Sequence, residues 1–205
     1  VKGSVLTGIT SAGQSYLAGQ GRNGVLVLPS SITRIDNGVF TQKFQNFKAI
    51  YAEGVTEVSG YAFNETGSLN FAHLPKLKKL GEAVFTDNAS LTAVNFPLLE
   101  EIGDVCFSGG ANFSGNGLKI TYVSIPAAKK IGSGAFHGNY KHSGVTFILG
   151  AQPEVNTKAY EDYPQEGFVA FGQLKSPVLY VTPEHLKTYT LTDGKWHGFT
   201  VKELK

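Results

Sequence analysis

The side chains of this 205-residue sequence most able to bind a metal ion or act as nucleophiles are five histidines and one cysteine, Cys106. The histidines are His73, His137, His142, His185 and His197. No two of them are four residues apart, the spacing that brings two ligands to one helix face. His137 and His142 share a glycine-rich loop and are the pair best placed for a metal ion. Solvated histidines in turns are commoner, so we expect no metal and no cofactor.

Gly19, Gly21 and Gly24 spell the glycine pattern of a dinucleotide-binding loop. That pattern holds a pyrophosphate only between a preceding strand and a following helix, and here the pattern of apolar residues predicts a strand after it. We therefore expect a flexible loop. The sequence contains no carboxylate pair, nucleophile elbow or phosphate-binding loop either. It predicts a protein that is not an enzyme.

The composition is that of a folded domain and does not suggest binding to nucleic acid. Apolar residues make up 41% and charged residues 17%, and the net charge of +2 is too small for the clustered basic face that nucleic acid requires. No run of 18 apolar residues is present to span a membrane. One cysteine cannot form an internal disulfide. Because the chain does not begin with Met, we expect that an export segment was removed.

Phenylalanines reveal an internal repeat: Phe40, Phe63, Phe85, Phe107 and Phe136 are separated by 23, 22, 22 and 29 residues. Each is preceded by a small residue, and five positions earlier by a branched aliphatic. The small residues are Val39, Ala62, Val84, Cys106 and Ala135, and the aliphatics are Ile35, Val58, Leu80, Ile102 and Ile131. A fixed period of this length is typical of a solenoid. Its position in the repeat predicts that Cys106 is a buried apolar residue, not a nucleophile.

Each repeat begins with the pattern of a short strand. Apolar residues recur sixteen, thirteen and eleven positions before the phenylalanine, and the last two alternate as in a strand with one buried face. A proline then ends the strand in four repeats, at Pro29, Pro75, Pro97 and Pro126. Gly81, Gly103 and Gly132 predict a sharp bend, followed by a one-turn helix that ends at the phenylalanine.

This pattern resembles the BspA-like class of leucine-rich repeats, most closely over residues 95–107 and 124–136. The resemblance covers residues 24–140 and continues more weakly to Phe171. It implies an α/β solenoid, a right-handed superhelix of short parallel strands and one-turn helices that is mostly β and loop. We expect one domain over residues 1–205. It consists of an N-terminal cap or linker (1–23), the repeats (24–175) and a C-terminal cap (176–205) that shields the open core.

The resemblance also implies an exported or surface-attached bacterial protein engaged in adhesion or protein recognition. Our first interpretation is therefore a monomeric, non-catalytic cell-surface module that binds a protein ligand, including one from a host, through the sheet face of the solenoid. Two alternatives are a glycan-binding module for polysaccharide capture and a structural spacer of a larger surface protein. An exposed aromatic platform would favour the glycan.

Charges alternate strictly at the position six before each phenylalanine, which holds Arg34, Glu57, Lys79, Glu101 and Lys130. One position earlier, the last three repeats hold Lys78, Glu100 and Lys129. Equivalent residues of adjacent coils lie about 4.8 Å apart in a strand-built solenoid. The pattern therefore predicts a ladder of opposite charges along the solenoid and not an anion-binding patch.

Outward strand positions give the candidate ligand-binding residues. If the positions thirteen and eleven before each phenylalanine point inward, those at fourteen and twelve point outward. They hold Ala49 and Tyr51, Phe71 and His73, Ala93 and Asn95, and Tyr122 and Ser124. The candidate site is Tyr51, Phe71, His73, Asn95 and Tyr122, because exposed aromatics on one face are typical of recognition surfaces. The alternative is that Tyr and Phe simply suit strands.

Two further features fall in the turns. The extra residues of the 29-residue repeat lie in 109–117 and predict a loop beside the candidate face, or else a tolerated insertion. The N-x-S/T sequences at Asn64, Asn88 and Asn112 follow a phenylalanine, where asparagine suits a left-handed backbone. Since the resemblance points to bacteria, we expect no N-glycosylation.

Overall fold

The computed structural model describes residues 3–8, 24–41, 47–109, 118–138, 143–159 and 169–205. In these residues the backbone winds as a solenoid of short strands, and successive coils add strands to two parallel series. The predicted solenoid of parallel strands is therefore confirmed.

The first series begins each coil and forms two sheets. Its strands are β2 (Gly24–Val27), β4 (Phe47–Tyr51), β6 (Phe71–His73), β8 (Ala93–Asn95), β10 (Tyr122–Ile125), β12 (Thr146–Leu149), β14 (Val178–Val181) and β16 (Phe199–Glu203). The strands β2, β4 and β6 form a three-stranded sheet. The strands from β8 to β16 form a second sheet, to which β15 (Lys195–Trp196) adds an antiparallel edge beside β16.

The second series forms one continuous parallel sheet of seven strands. Its strands are β1 (Ser4–Leu6), β3 (Ile32–Ile35), β5 (Glu57–Val58), β7 (Lys79–Leu80), β9 (Glu101–Ile102), β11 (Lys130–Ile131) and β13 (Glu154–Val155). Each pairs with the equivalent strand of the next coil, so that residues at the same repeat position become direct neighbours.

Side chains in the first series alternate between core and surface as predicted. Ile50 and Val123 are 0% exposed and Val94 is 1% exposed, whereas their strand neighbours Tyr51 and Tyr122 are exposed. Burying one apolar side of each strand is the main source of stability in such a stack, because single coils cannot cover their own apolar face.

The phenylalanines form a continuous buried column through the solenoid. The rings of Phe40, Phe63, Phe85, Phe107, Phe136 and Phe171 stack nearly parallel, with neighbouring centroids 5.0–5.8 Å apart. Phe171, where the resemblance to the repeat is weakest, thus belongs to the same column. Beyond it the rings of Trp196 and Phe199 cover the column's end, with centroids 5.6 and 5.0 Å from that of Phe171.

The predicted one-turn helices before each phenylalanine are hydrogen-bonded turns instead, and the α-helix found in the described residues is α1 (Pro183–Leu186). Two positions before the phenylalanine the backbone is left-handed, which interrupts a right-handed helix. The φ angles there are 57° at Tyr61, 51° at Ala83 and 48° at Val105. The phenylalanine N–H then bonds to the next coil, as when Phe85 N donates to Cys106 O at 2.9 Å. The helix prediction was therefore wrong. Tyr, Ala and Val do not favour a left-handed backbone, so the residue types at these positions gave no sign of it.

The repeated glycines, which the sequence analysis assigned to a sharp bend, are required by the close packing of neighbouring coils. None of Gly81, Gly103 and Gly132 has a positive φ. A Cβ on Gly103 would lie 2.4 Å from the carbonyl carbon of Gly81, and one on Gly132 would lie 2.6 Å from that of Gly103. Glycine is therefore the residue that lets neighbouring backbones approach at this corner.

Candidate ligand-binding face

The second strand series presents the predicted charge ladder. Strand pairing sets Arg34, Glu57, Lys79, Glu101, Lys130 and Glu154 side by side in that order. The ladder is thus confirmed and extends to Glu154, one residue further than predicted. Opposite charges alternate along its whole length, so this surface has no patch of a single sign.

Close ion pairs join several members of the charged surface. They are Arg34 Nη1 with Glu57 Oε1 at 3.7 Å, Lys79 Nζ with Glu101 Oε2 at 3.3 Å, and Lys129 Nζ with Glu100 Oε2 at 2.6 Å. The hydrogen bond and positive charge of Lys129 hold the pKa of Glu100 below its ordinary value. Lysines 78, 79, 129 and 130 therefore lie among compensating carboxylates.

We expect Glu101→Lys to reduce stability by about 0.5–1 kcal/mol, because it removes the ion pair with Lys79 and places three cations in a row with Lys130. Urea unfolding at low and high salt measures the effect, which should shrink as salt screens the repulsion. Glu101→Gln is the control, since it removes the pair without adding a cation and should cost less. A cost that does not respond to salt would rule out the charge ladder as its cause.

The first strand series presents a different surface, which we call the aromatic face. It consists of two outward rows that run across the strands. One row holds Val25, Ala49, Phe71, Ala93, Tyr122, Thr146, Val178 and Thr200, and the other holds Val27, Tyr51, His73, Asn95, Ser124, Ile148, Tyr180 and Lys202. Neither row contains a carboxylate. The cations in them are Lys202 at one end and, when it is protonated, His73.

Three of the predicted site residues are in mutual contact on this face. The ring centroid of Tyr51 lies 5.6 Å from those of both Phe71 and His73, and the Phe71 and His73 rings are 6.4 Å apart and nearly parallel. His73 Nε2 also lies 3.1 Å from Glu53 Oε1. Tyr51 and Phe71 remain 39% and 47% exposed. The three side chains form an accessible cluster of rings.

The other two predicted residues lie on the neighbouring sheet. Tyr122 is 37% exposed on β10, and Asn95 is exposed on β8 opposite Ser124. The strands β6 and β8 lie side by side, but they belong to different sheets. Within the described residues no ring contact joins Tyr122 to Phe71. The candidate site therefore has two parts, separated by the break between the sheets.

Val25 and Val27 belong to the same face and were missed by the sequence analysis. They are 54% and 69% exposed, and they pair with Ala49 and Tyr51 in the adjacent strand. The signal was present in the alternation from Val25 to Leu28. Because the first repeat is one residue longer, the outward positions counted back from its phenylalanine do not fall on these two valines.

The side chains considered for catalysis or metal binding do not form such a site in the described residues. Cys106 is fully buried as predicted, and its burial raises the pKa of the thiol to about 12. No group of three or more His, Cys, Asp or Glu residues is arranged to hold a metal ion in the part of the chain that the structure describes. His142, Gly19 and Gly21 lie outside that part.

His137 is not the solvated turn histidine that we expected. It is 1% exposed, and burial lowers the pKa of its imidazole. Its ring lies against Gly172 of the following coil, where a Cβ would come 2.1 Å from Nδ1. His137 directly follows Phe136, and both side chains are buried inside the solenoid. The sequence did not distinguish this side chain from the solvated histidines.

The structure also bears on the turn asparagines. Asn88 is buried, its Nδ2 donates to Phe63 O at 2.7 Å, and its Oδ1 accepts from Thr66 Oγ1 at 2.5 Å. An amide nitrogen held in this way is not accessible for glycosylation in the folded protein. Asn112 and residues 110–117 of the inserted loop lie outside the described residues.

Comparison with known proteins identifies the repeat. The family model of the BspA type leucine-rich repeat region matches residues 22–143 in six copies. No curated protein sequence matches the chain. A leucine-rich repeat protein of Bacteroides ovatus is similar in structure, with 22% identity and a TM-score of 0.46. The match covers 74% of this chain and 41% of that protein, so the chain spans less than half its length. No helix among the described residues is long and apolar enough to cross a membrane.

Proposed function

Because this chain belongs to the BspA-type leucine-rich repeat family, we propose that it is a non-catalytic binding module that holds a macromolecular ligand against its aromatic face. The observation that carries the proposal is the cluster of exposed rings at Tyr51, Phe71 and His73, in two strand rows that contain no carboxylate. Apolar side chains grouped on one exposed face are unusual unless they are covered by a partner.

The aromatic face is a better binding surface than the charge ladder. On the ladder side, charges already pair with charges of the next coil, so a ligand would have to displace those contacts. Covering the aromatic face with a ligand breaks no ion pair of the charge ladder, and it removes apolar surface from water, which is favourable. Its rigid strands also hold the side chains in place, which lowers the entropic cost of binding.

Leucine-rich repeats generally act in protein interaction, which makes a protein the first ligand class to consider. A glycan is the second, and the mixture of rings and hydroxyl groups on the aromatic face favours it. We propose that the module acts on the outside of a bacterial cell, in adhesion or capture, as membership of the BspA-type family implies. A spacer role would leave the exposed rings without a partner.

Radical footprinting tests the face directly. An array of purified extracellular proteins and polysaccharides identifies a binder, and the chain is then oxidised by hydroxyl radicals alone and in that complex. We expect Tyr51, Phe71 and Tyr122 to be oxidised several-fold more slowly in the complex. Tyr61, 40% exposed but outside the face, is the control and should not change. Protection of Tyr61 with unchanged Tyr51 and Phe71, or no binder at all, would contradict the proposal.

A further inference from the structure

The charges around the aromatic face restrict the chemistry of its ligand. Across eight strands its two rows contain no carboxylate, and Lys202 lies at the far end, with Nζ 6.0 Å from the centre of the Tyr180 ring. A positive charge on His73 would be met by Glu53 at 3.1 Å. Electrostatic complementarity favours a partner that matches the surface potential, and rows with so few charges favour an uncharged one.

The Tyr122 ring stands between smaller side chains of its own sheet. Its neighbours in the row are Ala93 on β8 and Thr146 on β12. Adjacent strands of a sheet lie about 4.8 Å apart, and neither neighbour is long enough to cover the ring, which is 37% exposed. The ring therefore offers a flat apolar surface to a ligand.

Polar groups around the Tyr122 ring are available to a ligand. The Asn95 amide and the Ser124 hydroxyl face each other across β8 and β10, and Thr146 pairs with Tyr122 across β10 and β12. Within the described residues, none of these three side chains makes a hydrogen bond. Neutral donors and acceptors beside an aromatic ring suit a ligand that carries many hydroxyl groups.

From these three observations we infer that the ligand of the aromatic face is a neutral polysaccharide. A sugar ring presents C–H groups on its faces and hydroxyls around its edge. The C–H face would lie on the Tyr122 or Phe71 ring, and the hydroxyls would reach Asn95, Ser124 and Thr146. A linear glycan would run along the row, across successive strands. This inference rests on the proposed function, since it names the ligand class of the same face.

The test is affinity electrophoresis through gels that contain one purified polysaccharide at a time. The neutral probes are mannan, galactomannan and a soluble β-glucan, and the charged probes are heparin and polygalacturonate. We expect retardation by at least one neutral probe, with little change between about 0.05 and 0.5 M NaCl. Tyr122→Ala and Asn95→Ala should each weaken it about tenfold, and Tyr122→Phe should retain most of it. Leu98→Ala, an exposed apolar change outside the face, should leave it unchanged.

Each other outcome overturns the inference in a distinguishable way. Binding to no neutral probe, or to charged probes alone, contradicts a neutral glycan. If in that case a purified protein binds and Tyr51→Ala or Phe71→Ala weakens its binding, the proposed function still holds and the ligand class is wrong. If a neutral glycan binds equally to the parent and to all variants of the face, the aromatic face is not the binding site and both proposals fail.

Discussion

Replacing Phe107 with alanine is expected to lower the free energy of unfolding by about 3–5 kcal/mol, the usual cost of truncating a large buried aromatic. Its ring is 0% exposed and stacks between those of Phe85 and Phe136, at 5.4 and 5.1 Å. The substitution would leave a void in the middle of the column. Because coils of a solenoid contact only their neighbours, the coils on either side should also become less coupled.

Chemical unfolding measures the loss, and hydrogen exchange should show faster opening of the coils around residues 85–136. Phe71→Ala is the matched control, since it makes the same chemical change at a side chain that is 47% exposed. We expect it to cost less than about 1 kcal/mol. A Phe107→Ala protein as stable as the Phe71→Ala protein would mean that the phenylalanine column does not hold the coils together.

The solenoid could be predicted because its stability depends on side chains that recur at fixed positions. A core column must be apolar in every coil, so Phe63, Phe85 and Phe107 reveal the length of the repeat. The opposite charges of Glu57 and Lys79 indicate that these two residues become neighbours in adjacent coils. These features follow from burial and pairing, which act directly on residue type.

The turns could not be predicted because their geometry is set by contacts between coils. Ala83 and Val105 adopt a left-handed backbone that neither residue favours, since the N–H groups there bond to the next coil. Local sequence carries no signal for such a bond. His137 was misjudged for the same reason: Gly172, thirty-five positions further along the chain, covers its ring.

The candidate face could be predicted in part. Tyr51, Phe71 and Tyr122 are exposed because alternation in the strand fixes the side to which they point. The break between β6 and β8 could not be foreseen, since the repeat passes through it with its usual length of 22 residues. Which ligand the face binds is a property of the partner as well, and it stays a proposal.

The second large effect that we expect is a loss of ligand affinity when three exposed rings of the aromatic face are replaced together. The Tyr51→Ala, Phe71→Ala, Tyr122→Ala triple variant should keep its fold, because all three side chains are more than one third exposed. It removes the three largest exposed rings of the aromatic face. Aromatic side chains at the centre of an interface commonly contribute most of the binding free energy. We therefore expect the affinity for the ligand to fall about 100-fold.

The measurement that tests the account most directly is a titration of that ligand against the parent, the triple variant and a control, after circular dichroism has shown that all three fold alike. The control replaces Leu98, Val169 and Leu191 by alanine, three apolar side chains of similar exposure outside the face. We expect a dissociation constant about 100 times higher for the triple variant and an unchanged one for the control. Binding of the triple variant at parental strength would contradict it.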